Sequence, residues 1–293
     1  MLLSRPILDA LLGIALLSGM DAIIKELVSR LPVLEVAFLR YGVGSLAMTA
    51  IVAVKRPGWP RLDTIRANAL RAILVVVTAL TFFYALGQLP LAETLILSFV
   101  SPLFTAVLAV ALLGERLQAR ILLAIAAGFA GVLVIVVAGQ GTGGTKVSSA
   151  SASTHWPIFG VAAVLVSAFT YAASNVLLRA RAQRDPVVLI VLIQNWAPAG
   201  MILLPALFVW RQPSAADLVL LVGVGLLGVA GHLLLARAYA GAEATRLAAL
   251  DYTALIWAVS FGFLWFDEIP GVWAVVGAAL ILAGAYAGAR RPR

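Results

Sequence analysis

At 293 residues with 63% apolar and 12% charged side chains and a mean hydropathy of +1.06, the chain is too apolar for a water-soluble domain, in which about 25% of residues are charged. Its net charge of +8 would suit a nucleic-acid partner, but the basic residues sit in short gaps between apolar runs, which argues against that reading. There is no cysteine, so disulfide and thiolate chemistry are excluded.

Apolar runs close to the roughly 17–25 residues needed to cross a bilayer recur from end to end. They predict ten spans, at 7–27, 33–54, 67–87, 92–113, 120–138, 156–178, 187–210, 217–237, 245–266 and 272–289. The first run follows one basic residue and leads into a second hydrophobic segment without a small-residue cleavage site. It is expected to stay as a first span rather than be removed as a signal. Residues 140–155, rich in Gly, Ser and Thr, read as an extracytoplasmic linker between two five-span units, 1–139 and 156–293. Sixteen Lys and Arg fall on one side of the spans, Arg71 among them. Only four (Lys25, Arg30, Lys146 and Arg211) fall on the other, which places both termini in the cytoplasm.

One stretch occurs twice. Residues 90–117 read PLAETLILSFVSPLFTAVLAVALLGERL, and residues 241–269 read GAEATRLAALDYTALIWAVSFGFLWFDEI. An offset of 153 sets Ser98 on Asp251, Phe99 on Tyr252 and Glu115 on Glu268. At an offset of 154, Pro32 falls on Pro186, Asp21 on Asn175 and Arg40 on Gln194. Five spans per unit is an odd number, so two similar units must lie upside down relative to one another, with a site near the midplane between them. The expected fold is therefore an all-α membrane protein of ten transmembrane helices, built as two inverted five-helix repeats around a central cavity.

Ionisable groups inside a bilayer need a partner, a wet cavity or a task. In the first hairpin, a constant index sum levels Asp21 with Arg40 and Lys25 with Glu35. These four form either a gate or zwitterion clamp, or a structural ion-pair lock. The same reasoning levels His232 with Asp251, a pair able to bind substrate or relay a proton, although a lone histidine can also serve as a link between helices. The face before His232 carries Gly225, Gly228 and Gly231, which permits close approach of a neighbour or substrate.

Polar and aromatic stripes at helical spacing suggest the cavity wall: Ser18; Thr78 and Phe82; Ser98 and Phe99; Tyr171 and Asn175; Gln194 and Trp196; Asp251 and Tyr252. Such stripes can also be glue between helices. Pro102 and Pro198 lie well inside spans, where they act as hinges or as static bends. No phosphate-binding lysine motif, metal-ligand spacing or nucleophile elbow is found, so neither enzyme, cofactor nor metal is expected.

Three features together carry a family resemblance: GMDAIIK at 19–25, the spacing of Pro32 and Arg40, and SPLFTAVLAVALLGERL at 101–117 within a doubled five-span unit. The chain resembles the drug/metabolite transporter superfamily, EamA family, over nearly its whole length. It departs where Leu255 replaces the second copy's proline and where the acidic turn reads LGER in one copy and FDEI in the other. The resemblance implies a bacterial cytoplasmic (inner) membrane location and export of small metabolites by alternating access. Among members, the aromatic amino-acid exporter is similar in length and layout. The resulting expectation is a secondary or facilitative exporter of amino acids, aromatic or other large neutral ones, and related metabolites. Its partners would be a small amphipathic substrate, the lipid bilayer and protons, with no nucleic acid and no obligatory protein partner. Multidrug or sugar and nucleotide-sugar transport by the same fold remains an alternative, as does an intramembrane enzyme or structural partner.

Overall fold

The computed structural model describes residues 5–114, 158–182, 184–244, 247, 250–267 and 272–289, with positions 126, 127, 130, 131 and 134. Apart from those five positions, the predicted fifth span lies outside the described residues, as does the linker at 140–155. Among those described, the regular structure is helical, and seven helices are long and apolar enough to cross a membrane.

The helices follow the predicted runs closely. They are α1 (Arg5–Val28), α2 (Val33–Lys55), α3 (Leu62–Gln88), α4 (Leu91–Ser98) and α5 (Ser101–Leu113). Then come α6 (Ile158–Ala182), α7 (Val187–Phe208), α8 (Ala215–Gly241), α9 (Ala254–Phe266) and α10 (Val272–Ala289). Large side chains such as Leu46, Phe208, Val219 and Leu264 point outward, as a lipid-facing surface requires.

Local chemistry sets the ends. Proline occupies the residue before α2 and before α7, as Pro32 and Pro186, where a fixed φ starts a helix and no intrahelical N–H is lost. Ser214 and Asp217 form a reciprocal capping box at the start of α8. At the other end, Gly114 closes α5 and Asp267 closes α9, both left-handed with φ of +67° and +51°. The two caps stand at the 153-residue offset read from the sequence.

The predicted fourth span is not one continuous helix. It stops at Ser98, passes through Phe99 and Val100, and restarts at Ser101 with Pro102 in the first turn of α5. Proline has no N–H to give the Ser98 carbonyl, and its ring crowds that carbonyl. Pro102 therefore marks a break rather than a bend inside a helix. The predicted ninth span breaks at the same register without a proline: Asp251–Thr253 form a 3₁₀ turn, and α9 starts at Ala254. Pro198, by contrast, lies inside α7.

The packing pairs helices across the two halves. Helix α1 packs on α8 and α3 on α6, while α2 lies on α7 and α4 on α9. Between helices in lipid the hydrophobic effect is weak, so close van der Waals contact has to hold them together. Glycines provide it, as their spacing predicted. A β-carbon at Gly231 would lie 2.7 Å from Leu17 Cγ, and one at Gly13 would lie 3.0 Å from the Gly231 carbonyl. Gly228 gives room for Arg40 and Met20, and Gly225 for Val43.

Candidate functional site

The breaks, the packing of α1 on α8 and that of α3 on α6 together enclose a cavity of about 180 Å³. Nine of the residues assigned from sequence to substrate binding line it: Ser18, Thr78, Phe82, Ser98, Phe99, Tyr171, Asn175, Gln194 and His232. Asp251 is a tenth. The two break residues, Ser98 and Asp251, stand at matching positions of the repeated stretch, and both line the cavity. The ends of interrupted helices leave backbone polar groups available to a ligand.

Two assigned residues are placed differently. Trp196 is half exposed on the outer surface and donates its indole N–H to Thr49 Oγ1 at 2.9 Å, so it is not part of the wall. Two residues beyond Gln194, a helix has turned about 200°. The side chain of Tyr252 lies outside the described residues.

The charged hairpin also differs from expectation. Asp21 and Arg40 both line the cavity, but no ion pair joins them. The Arg40 guanidinium lies instead against Met20 Sδ at 3.3 Å and over the Tyr41 ring at 4.3 Å, in the space left by Gly228. Lys25 and Glu35 do not pair with each other. Lys25 Nζ donates to the Leu89 carbonyl at 2.8 Å and sits 5.5 Å from the Phe266 ring. Glu35, fully buried, accepts the Arg211 backbone N–H at 2.9 Å. Equal depth in the bilayer fixed only one coordinate; rotation about each helix axis turned the groups to other neighbours. His232 and Asp251 share the cavity, yet the His232 Nδ1 bonds the Gly228 carbonyl at 2.7 Å and not Asp251.

Sequence reasoning missed Arg71. Counted with the basic loops, it lies within α3, is buried, and donates from Nη2 to Gln194 Oε1 at 2.7 Å. That bond joins the first half to the second. A signal was present: Arg71, Val75, Thr78 and Phe82 follow one another at helical spacing, and all four line the cavity. Tyr41, beside Arg40, was missed as well. A second cross-half link runs from Thr78 Oγ1 to Thr170 Oγ1 at 2.7 Å, with Ser167 Oγ donating to the Thr78 carbonyl at 3.3 Å.

The wall is thus aromatic and aliphatic, with opposite charges set into it: Asp21 and Asp251, Arg40 and Arg71. Among the described residues, no group of three His, Asp or Glu could hold a metal ion. Such a wall can hold a small molecule that is apolar in its body and charged at its ends.

The comparisons with known proteins point to transporters. The model of the EamA-like transporter family matches residues 5–137 and again 158–287, an offset of 153 from start to start. The pseudopaline exporter CntI of Pseudomonas aeruginosa is 27% identical, over 98% of this chain and 96% of its own length. An S-adenosylmethionine uptake transporter of Rickettsia prowazekii is 26% identical, over 93% of this chain and 88% of its own. A protein of known crystal structure has the same fold at a TM-score of 0.68 and 18% identity, covering 96% of this chain and 94% of that one. With seven apolar helices long enough to cross a membrane among the described residues, the chain is an integral membrane protein. It belongs to the EamA-like transporter family, among the drug/metabolite transporters.

Proposed function

We propose that this transporter exports amino acids, aromatic or other large neutral ones, and related zwitterionic metabolites from the cytoplasm across the bacterial inner membrane. The observation that carries the reading is the cavity itself, with two carboxylates and two guanidiniums set among Phe82, Phe83, Phe99, Tyr41 and Tyr171. At about 180 Å³ it is smaller than the roughly 300–1,000 Å³ that encloses a drug-sized ligand, which favours a compact metabolite over multidrug efflux or a nucleotide sugar. The relatives' names support a small-metabolite substrate: one is named an exporter, of pseudopaline, and another an uptake transporter, of S-adenosylmethionine, which carries an α-amino acid head.

In the proposed architecture, ten helices form two inverted five-helix repeats, with both termini cytoplasmic. Several facts support it: two family matches in tandem, matching proline starts, matching breaks and matching left-handed caps. The packing adds to this, because exchanging the halves carries the contact of α1 with α8 into that of α6 with α3. Transport would proceed by alternating access, with the halves rocking around the cavity and the breaks near Pro102 and Asp251 serving as pivots. Coupling to protons would run through Asp251 and His232; simple exchange is the other form of the proposal.

Counterflow in liposomes holding only the purified protein is the test. Labelled phenylalanine should accumulate transiently against unlabelled phenylalanine inside, and large neutral amino acids should compete better than sugars or cationic drugs. Exchange of sugars or drugs but of no amino acid would overturn the substrate and leave the transporter; no exchange of any solute would favour an enzyme or structural role.

A further inference from the structure

We infer that Arg71, together with Arg40, is the carboxylate anchor of the cavity, so that the substrate must carry a free carboxylate and a free amine at once. The inference rests on the amino-acid reading above and deepens it. Arg71 is 3% exposed and Arg40 5%. In both, a guanidinium nitrogen is buried without a hydrogen-bond partner, Nε in Arg71 and Nη1 in Arg40. Arg71's one side-chain bond goes to the neutral amide of Gln194, which meets one of its five donors. Arg40 lies against a thioether and two aromatic rings, with Asp21 near enough to act on it electrostatically but not to form an ion pair.

A buried cation with donors unmet is costly unless an anion comes to it. Two carboxyl groups are near, Asp21 and Asp251, in the wall of the same cavity. Neither makes an ion pair or a hydrogen bond among the described residues. Two positive and two negative groups therefore face one small space and remain apart. A ligand bearing a carboxylate and an ammonium satisfies both sets, with the carboxylate on the guanidiniums of α2 and α3 and the ammonium at Asp251 and Asp21. A ligand with one charge leaves the opposite set unmet. Because Arg71 also ties α3 to Gln194 on α7, a carboxylate arriving at Arg71 competes with a bond between the two halves.

The test compares three ligands on the purified full chain, with binding read from the rise in Tm: phenylalanine, its methyl ester and 3-phenylpropanoate. A charge-assisted hydrogen bond is worth enough that phenylalanine should bind about tenfold or more tighter than either of the others. Arg71→Gln should cut the preference for acid over ester, with the Tm of the unliganded protein lowered by no more than the loss of the one bond to Gln194. If that variant fails to fold, Arg71→Lys keeps the charge and should keep part of the preference. Ester and acid binding equally well, with phenylalanine counterflow intact, would overturn this inference alone. No binding by any of the three would overturn it together with the amino-acid reading.

Discussion

Asp251→Asn is expected to weaken substrate binding roughly ten- to hundredfold and to abolish any uptake driven by a pH gradient, while leaving the protein folded. The affinity figure is that of a charge-assisted hydrogen bond lost. Asp251 opens the 3₁₀ turn at the break of the ninth span and faces the cavity. Among the described residues its carboxylate makes no hydrogen bond, so the isosteric amide removes no native contact. What is lost is the charge and the capacity to carry a proton. The titratable and charged groups on the same cavity are Asp21, Arg40, Tyr41, Arg71, Tyr171 and His232. His232 is tethered to Gly228, so it does not substitute for the missing carboxylate by moving freely. Binding measured by the shift in Tm, beside counterflow with and without a pH gradient, separates the two effects. Unchanged affinity would remove Asp251 from the site, and retained pH-driven uptake would remove it from coupling.

The second large effect concerns how the halves are held. Gly225→Ala should lower Tm by an amount matching about 1–3 kcal/mol of overpacking, despite the better helix propensity of alanine. A β-carbon there would lie 2.5 Å from Val43 Cγ1 and 2.6 Å from Val43 Cβ, with the Arg40 carbonyl at 3.2 Å. Val43 is β-branched and its Cβ moves only with the backbone, so α2 and α8 must part. Gly223, two residues away on the same helix, has no atom within 4 Å of such a carbon. Gly223→Ala should therefore be neutral or slightly stabilising. Equal Tm for the two variants would mean that the contact of α2 with α8 is not close.

Much of this was legible in the sequence because a bilayer allows few ways to satisfy a backbone. Apolar runs bounded by proline and basic residues gave spans within a few residues of α2 and α7, and α10 runs over 272–289 as expected. The glycine face of α8 was legible for the same reason: only small residues let helices approach in lipid. Much of the polar part of the cavity wall was read from its stripes, Ser18, Thr78, Tyr171 and Asn175 among them.

Partners across helices were harder. An index sum sets depth but says nothing of rotation, and so Lys25 turned to Leu89 and Glu35 to Arg211. Trp196 was grouped with Gln194 by nearness in sequence, against the turn of the helix that sends it outward. Arg71 was read as a loop charge because arginines near span ends usually are; its place in a stripe with Thr78 and Phe82 was the stronger sign. The break of the ninth span had no proline to announce it and was not read from the sequence.

If the cavity is the translocation site, it must be reached from both faces of the membrane. The chain has no cysteine, so a single introduced thiol reports without background. Ser98→Cys places that thiol on the wall at the first break. In sealed vesicles of known orientation, a small membrane-impermeant thiol reagent should reach it from either side, and phenylalanine should protect it from both. Reaction from one side alone, or reaction that no substrate slows, would contradict alternating access around this cavity.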